Sequence, residues 1–190
     1  MRGVEQIPWI YDGGMAVMEA LGARRWREWL IDGARGRVLE VSCGTGRNLP
    51  RYAPGVDVTG LDPSAEALSK ARSRATSAKL LLGSAHALPF LAGTFDTIIS
   101  SLIFCSIPEP ARGLAEIRRV LRTGGELRML EHVRATSNLG GRLQDFYQPA
   151  WTCLMGGCHP NRDTEAAVTR AGFTITERIA EGSMRRLVAR

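Results

Sequence analysis

The chain is poor in lysine. Among its 25 basic residues only Lys70 and Lys79 are not arginine. Cysteine is scarce and badly spaced for metal. Cys43, Cys105, Cys153 and Cys158 form no C-x-x-C pair, so no structural zinc site is expected and no metal is assigned. Long apolar runs are missing, and none approaches the roughly 18 residues that cross a bilayer. The opening residues MRGVEQIPWIYDGG have no apolar signal core. Together these absences make a cytoplasmic protein without disulfides the expectation.

What is present is ordinary for a globular chain. The 190 residues suffice for one domain with a sizeable core, and 44% hydrophobic with 23% charged content is typical of such domains. The net charge of +6 admits nucleic acid, anionic lipid or acidic substrates as partners. No aromatic platform is interleaved with the basic residues, so a solvated arginine surface is the simpler reading and no nucleic-acid partner is expected.

The stretch RVLEVSCGTG, Arg37 to Gly46, organises the rest. A β-branched run ends in Cys43-Gly44-Thr45-Gly46, which reads as a buried strand entering a tight glycine turn. Gly44 and Gly46 allow positive φ and leave no side chain between backbone and ligand. Glu40 falls near the carboxyl end of the strand, where open α/β sheets bind ligands. A dinucleotide site wants G-x-G-x-x-G, but Leu49 stands at the third glycine. S-adenosylmethionine (SAM) has no pyrophosphate and carries an ammonium and a sulfonium, which suit the Glu40 charge. Asp62 ends the next apolar run, about 20 residues on, where an acid binds ribose hydroxyls. Asp62-Pro63-Ser64 also begins a helix well.

The remaining elements follow in order. Trp9 to Ile31 reads as one or two amphipathic helices, with Met15, Met18, Leu21, Trp26, Trp29 and Leu30 at helical spacing and Arg24, Arg25 and Arg27 supplying a basic side. This segment, 1–36, is expected to be a helical lid, with Tyr11 helping to close the pocket. Packing on the sheet and docking on an anionic membrane are its alternatives. Strands are expected at Val56–Leu61, Lys79–Gly83, Phe95–Leu102, Gly125–Val133, Phe173–Ile179 and Met184–Ala189. Helices are expected at Asn48–Tyr52, Ala65–Ala75, Pro110–Leu121 and Asp163–Ala171, with Arg122 to Gly125 ending the third by a glycine cap. Ala135–Asn161 breaks the pattern as a substrate-specificity insertion. The fold class is therefore α/β, a doubly wound, mostly parallel seven-stranded sheet with an antiparallel last strand, within one compact domain 37–190 behind the lid.

LEVSCGTG, VTGLDPS, SAHALPF, FDTIISSL and IRRVLRTGGELRMLEHV resemble the successive motifs of class I SAM-dependent methyltransferases. Glu131-His132-Val133, Gln144-Asp145, Trp151 and GGCHPNRDT resemble the methyltransferase-like 7 group and its small bacterial relatives, whose human members are thiol S-methyltransferases. The cofactor half is also similar to ubiquinone/menaquinone methyltransferases. The resemblance implies a Rossmann-like fold and SAM as cofactor, leaving S-adenosylhomocysteine as product. It places Glu40, Ser42, Cys43, Gly44 and Gly46 at the methionine part. It puts Asp62 and Pro63 at the ribose, Ser84, Ala85 and His86 at the adenine, and Ser100 and Ser101 beside the methionine moiety. Ser42 stands where the family has glycine, and Ser84 where it has an adenine-contacting aspartate, so weakened SAM affinity is expected.

Methyl transfer from a sulfonium needs alignment and a dry pocket more than acid–base help. His132 and His159 are the candidate bases, with structural hydrogen bonding as their alternative role. Asp145, Trp151, Cys158 and Arg162 are candidate acceptor contacts. The expected activity is methylation of a small, apolar acceptor, a thiol being favoured, with a phospholipid amine or quinone ring next. A non-catalytic SAM-binding protein and an NAD(P) oxidoreductase are the competing classes. Ser101-Leu102-Ile103-Phe104 is unlike the N-P-P-[FY] motif of nucleic-acid amine methylation.

Overall fold

A computed structural model of the chain describes residues 3–4, 7–75 and 77–190. Four positions of the expected lid (1, 2, 5 and 6), Thr76 and the Leu21 side chain lie outside the described residues. The strands are β1 (Arg37–Val41), β2 (Asp57–Asp62), β3 (Lys79–Leu82), β4 (Phe95–Ser101), β5 (Leu121–His132), β6 (Ile175–Glu181) and β7 (Met184–Ala189). They form one seven-stranded sheet in the order β3-β2-β1-β4-β5-β7-β6. Pairing is parallel from β3 to β5, and β7 runs antiparallel between β5 and β6. The order reverses at β1, so β1 and β4 part company at their carboxyl ends and leave a crevice there.

Helices cover both faces. They are α1 (Pro8–Met18), α2 (Arg24–Asp32), α3 (Ala65–Arg74), α4 (Pro110–Val120), α5 (Asn138–Met155) and α6 (Thr164–Arg170). Side chains alternate across each strand, so neighbouring residues serve opposite cores. Leu39, Val41, Ile98, Leu127, Met129 and Leu187 meet Leu114, Ile117 and Val120 of α4 and Val168 of α6. Val38, Val58, Ile99 and Leu130 meet Leu30 and Ile31 of α2 and Ala71 of α3. Each buried Val, Leu, Ile or Met side chain among these contributes about 1.5–3 kcal/mol by leaving water.

The segment before β1 divides at Gly22, whose φ of +112° interrupts the helix within a short π-helical stretch, Glu19–Ala23. Beyond it, α2 is bolted to the back of the sheet. Buried Arg128 of β5 donates to the Trp29 and Leu30 carbonyls at 2.7 and 2.9 Å and stacks over the Trp29 ring. Trp26 and Trp29 donate to Glu181 and Glu177 of β6. Of the expected basic side, Arg24 and Arg25 stay exposed and only Arg27 leaves it. Arg24 pairs with Glu28 and Arg25 with Glu181, while Arg27 turns inward and is 3% exposed.

Two other stretches differ from the sequence reading. α4 ends at Val120, and Leu121 is already extended and paired with Phe95, so β5 begins four residues before Gly125 across a bulge. The insertion contains an 18-residue helix, α5, capped by Ser137 at its start and by left-handed Gly156 at its end. Gln144 fastens it by donating to the Val133 and Pro160 carbonyls and accepting from the Ala135 N–H. The outward face of α5 is apolar, with Leu139, Leu143, Phe146 and Leu154 all exposed. No described helix is long and apolar enough to cross a membrane.

Candidate cofactor and acceptor site

The carboxyl ends of β1, β2 and β4 open on a cavity of about 800 Å³. Its floor is the turn after β1. Ser42, Gly44 and Gly46 all take left-handed backbone, with φ of +52°, +56° and +75°. A Cβ on Gly44 would project into open space, the room a ligand needs for close backbone approach. Gly46 serves packing instead: a Cβ there would lie 2.9 Å from both Ala71 of α3 and the Leu49 side chain. It does not line the cavity.

Asp62 locks the turn to the second strand. One carboxylate oxygen accepts the Gly44 N–H at 2.8 Å and the other the Ser64 N–H at 2.8 Å. Burial raises its pKa, and these two bonds oppose that rise. The capping role falls to Ser64, whose hydroxyl accepts the Ala67 N–H of α3. Asp62 and Pro63 both line the cavity.

Glu40 faces a side pocket of about 30 Å³, lined also by Tyr11, Arg27, Ser42, Cys43, Thr45, Asn48 and Ser101. Tyr11, Ser42, Gly44, Thr45 and Ser101 belong to both spaces, so the side pocket adjoins the main one. The Glu40 carboxylate accepts from Asn48 Nδ2 at 2.7 Å and Tyr52 OH at 2.8 Å. Burial nevertheless raises its pKa to about 6, against those bonds and the nearby Arg27 charge. Arg27 donates Nη1 to Asn48 Oδ1 at 2.9 Å and pairs with Glu19 at 2.9 Å, while Nη2 has no hydrogen-bond partner among the described residues. Cys43 is buried, its thiol pKa pushed up by that burial and by the Glu40 and Asp62 charges.

α1 closes one side, with Pro8 and Tyr11 against the cavity. Asp12 fixes the helix there, accepting from Thr45 Oγ1 at 2.6 Å and pairing with Arg74 at 2.9 Å. Glu19 pairs with Arg47 and Arg51 at 3.0 and 3.2 Å. Burial alone would raise both carboxyl pKa values. Hydrogen bonds from Arg74 and Thr45 lower that of Asp12, and Arg47 with the neighbouring guanidiniums lowers that of Glu19.

Ser84, Ala85 and His86 line the far end. The Ser84 hydroxyl accepts the His86 N–H at 3.2 Å, which spends it on the loop's own turn. His86 Nε2 is buried without a hydrogen-bond partner among the described residues, as is the Ser101 hydroxyl. Buried polar atoms are rarely left unmatched. Here Arg27 Nη2 and Ser101 at one end and His86 at the other border a shared space. That is the donor set a molecule with a charged amino-acid end and a heteroaromatic end would satisfy.

The remaining wall is apolar: Leu102, Ile103, Ile107 and Pro108, with Ser106 and Gly156 beside them. Leu102 has φ of +59°, the second non-glycine residue in the left-handed region after Ser42. The wall is pinned from behind. Buried Glu131 accepts from Ser100 Oγ and from the Ile103 and Phe104 N–H groups, and burial raises its pKa to about 7 despite them. Arg162 donates to the Phe104 and Ile107 carbonyls at 2.7 and 2.8 Å.

The other sequence-selected residues stand behind this wall, not on it. Ser100 faces Glu131, opposite to its neighbour Ser101. His132 lies edge-on to Trp151, with ring centroids 6.4 Å apart, and Trp151 meets Tyr147 at 6.0 Å. His159 Nδ1 sits 2.7 Å from the Gly157 carbonyl, and its N–H donates to the Cys105 carbonyl. Asp145 pairs with Arg134 and accepts from Asn161 at 2.9 Å, which hold its pKa at about 2. Cys158 is buried beside Cys105. None of these lines the main cavity. Arg27, Thr45, Leu102 and Glu131 do more than the sequence suggested, and of these only Glu131 carried a signal, as an acid inside a buried strand.

Residues 39–129 match the methyltransferase domain family. The chain is 32% identical over 145 residues to human thiol S-methyltransferase TMT1A, covering 72% of this chain and 59% of that one. It is 35% identical to demethylmenaquinone methyltransferase of Thermotoga maritima, covering 70% and 62%, and 39% identical to phosphatidylethanolamine N-methyltransferase of Cereibacter sphaeroides, covering 54% and 53%. It thus spans about three-fifths of the first two and about half of the third. A solved SAM-dependent methyltransferase from Thermotoga maritima shares the fold at TM-score 0.68 and 21% identity, with 86% of each chain covered. The methyltransferase match favours SAM over the nicotinamide alternative. By its sheet order, its glycine turn and these matches, the chain belongs to the class I SAM-dependent methyltransferase superfamily.

Proposed function

We propose that the protein methylates a small apolar acceptor, with a thiol favoured, using SAM. The observation that carries this reading is the division of one cavity into a polar end (Asp62, Gly44, Ser101, His86) and an apolar wall (Leu102, Ile103, Ile107, Pro108). When bound, SAM supplies an activated methyl group on a sulfonium. The chain's residues supply the rest. Asp62 and the Gly44 backbone would hold the ribose side, and the Ala85–His86 backbone and ring the adenine. Arg27 Nη2 would take the carboxylate and Glu40 the ammonium of the amino-acid end. The apolar wall excludes water, and α1, clasped by Asp12, covers the opening as a lid. A thiol acceptor, whose pKa lies within a few units of neutrality, needs no strong base. That agrees with His132 and His159 standing outside the cavity. The favoured acceptor also agrees with the thiol S-methyltransferase among the relatives.

The second reading is a phospholipid amine, favoured by the apolar outward face of α5, whose Gly156 cap reaches the cavity. One assay separates the two. Purified protein is given SAM with a small alkyl thiol, or with vesicles containing an aminophospholipid, and S-adenosylhomocysteine is measured. Thiol-dependent product supports the first reading and lipid-dependent product the second. Absence of product with both, while S-adenosylhomocysteine still binds, would leave a SAM-binding protein without this chemistry.

A further inference from the structure

The apolar wall of the cavity is built on one hydrogen-bonded turn. The Ser106 and Ile107 N–H groups both donate to the Ile103 carbonyl at 2.9 Å. Leu102, Ile103, Ser106 and Ile107 face the cavity from it. The chain enters the turn through Leu102, whose left-handed backbone is costly for a residue with a Cβ. Such a conformation persists only where its surroundings over-determine it. Two charged side chains grip the turn from its two ends. Buried Glu131 takes the amide end: Oε1 accepts from Ser100 Oγ at 3.0 Å and from the Ile103 N–H at 3.3 Å, and Oε2 accepts from the Phe104 N–H at 3.1 Å. Arg162 takes the carbonyl end, where Nη1 donates to Phe104 and Ile107 at 2.7 and 2.8 Å. An anion on amides and a cation on carbonyls each complement the peptide dipoles they meet. Neither side chain lines the cavity itself.

We propose that Glu131 and Arg162 are positioning residues for the methyl acceptor: they set the shape of the wall from behind, and a proton taken up by Glu131 loosens it. The assignment rests on reading this wall as the acceptor's side of the cavity. A proton has no free place on Glu131. On Oε2 it would confront the Phe104 N–H. On Oε1 it fits only if the Ser100 hydroxyl reverses, and the protonated oxygen is then a poorer acceptor for the Ile103 N–H. Either way a backbone bond to the wall weakens. Burial raises the Glu131 pKa to about 7, which puts the exchange near neutrality. Arg185 stands directly opposite on β7 but is spent on Glu165 at 2.8 Å and on the Gly182 and Met184 carbonyls. Cys105 lies on the turn itself, and His132, next along β5, meets Trp151 edge-on. His159 Nδ1 is 3.4 Å from Arg162 Nη2, which makes it the second group whose proton could reach the clamp.

Amide exchange read by NMR on the full chain with S-adenosylhomocysteine tests the clamp with no acceptor present and, in wild-type protein, with no variant that must fold. Corrected for the intrinsic pH dependence of exchange, protection of the Ile103 and Phe104 N–H groups should fall about tenfold from pH 8 to pH 6, as the protonated fraction of Glu131 rises by that factor. Glu131→Gln should be poorly protected at both pH values. Flat protection in the wild type would overturn the proposal, and so would a pH dependence that survives in Glu131→Gln, which would belong to His159. The second readout is turnover of hexanethiol. Glu131→Gln and Arg162→Met should each raise its KM about tenfold, with kcat within about threefold and S-adenosylhomocysteine affinity within about twofold of wild type, and Arg162→Lys should recover part of the loss. Loss of kcat at unchanged KM, or an equal loss of S-adenosylhomocysteine affinity, would reduce the pair to supports of the fold and overturn the assignment. Protection that follows pH as stated, without any hexanethiol turnover in the wild type, would uphold the clamp and fail the thiol reading alone.

Discussion

The ionisation of Glu40 makes a sharp prediction about cofactor binding. In the free protein its carboxyl has a pKa of about 6, because burial outweighs the Asn48 and Tyr52 hydrogen bonds. An ammonium seated in the side pocket favours the carboxylate, so binding below that pKa must first expel a proton. From pH 7 to pH 5 the ionised fraction falls about tenfold, and the affinity for S-adenosylhomocysteine should fall by about the same factor. Titration calorimetry in buffers of differing ionisation enthalpy reads both the affinity and the proton released. Methylthioadenosine, which has no amino-acid end, should bind with little pH dependence. Glu40→Gln should flatten the profile and weaken S-adenosylhomocysteine at pH 7 by roughly 10- to 100-fold, the value of a hydrogen bond to a charged group. A tenfold slope that persists in Glu40→Gln would refute the reasoning. So would a flat wild-type profile. Folding has the matching sign. A carboxyl with a raised folded pKa costs nothing below its unfolded value near 4.5, and its penalty is fully present above pH 6.

Three further outcomes are expected. Ser42→Gly relieves left-handed backbone at a non-glycine residue and should stabilise the fold by about 1 kcal/mol, raising the thermal midpoint by roughly 2–4 °C without weakening S-adenosylhomocysteine; a lower midpoint would deny the strain. Arg27→Lys keeps the charge but removes the forked donor, so S-adenosylhomocysteine should weaken about tenfold while methylthioadenosine is unaffected, and equal losses for both ligands would place Arg27 away from the carboxylate. Asp12 and Glu19 have lowered pKa values, so the clasp on α1 is intact above their unfolded values of about 4 and fails as pH drops below them. Asp12→Asn should reproduce that failure at neutral pH, seen as about fivefold faster amide exchange across Pro8–Met18, and unchanged exchange would show that the ion pairs do not hold the helix.

The cofactor end was readable because its signals are local. A strand running into Gly44 and a following acid at Asp62 are fixed by backbone needs that sequence displays. The sheet was readable for the same reason, since buried parallel strands write themselves as apolar runs. What failed to show was orientation. Ser100 and Ser101 looked equivalent, yet strand alternation sends one to Glu131 and the other to the cavity. His132 ends a strand whose side chains are shared between two faces, and α5 draws its ring to Trp151. α5 itself was hidden by Gly140, Gly141 and Pro149, which read as loop until Ser137 and Gly156 cap the helix. Arg27 looked like one more basic residue on an amphipathic helix. Only the three-dimensional meeting of α2 with Glu19 and Asn48 turns it inward.

The near-absence of lysine has a practical consequence. Lys70 lies on α3, and Lys79 opens the edge strand β3, where it pairs with Asp57 at 2.8 Å. Apart from the chain's terminal amine, amine-directed reagents therefore reach a single rim of the sheet. The arginines that clasp α1 and line the side pocket are invisible to such chemistry. A fluorophore attached through lysine would mark that rim alone, giving a nearly site-specific label without engineering.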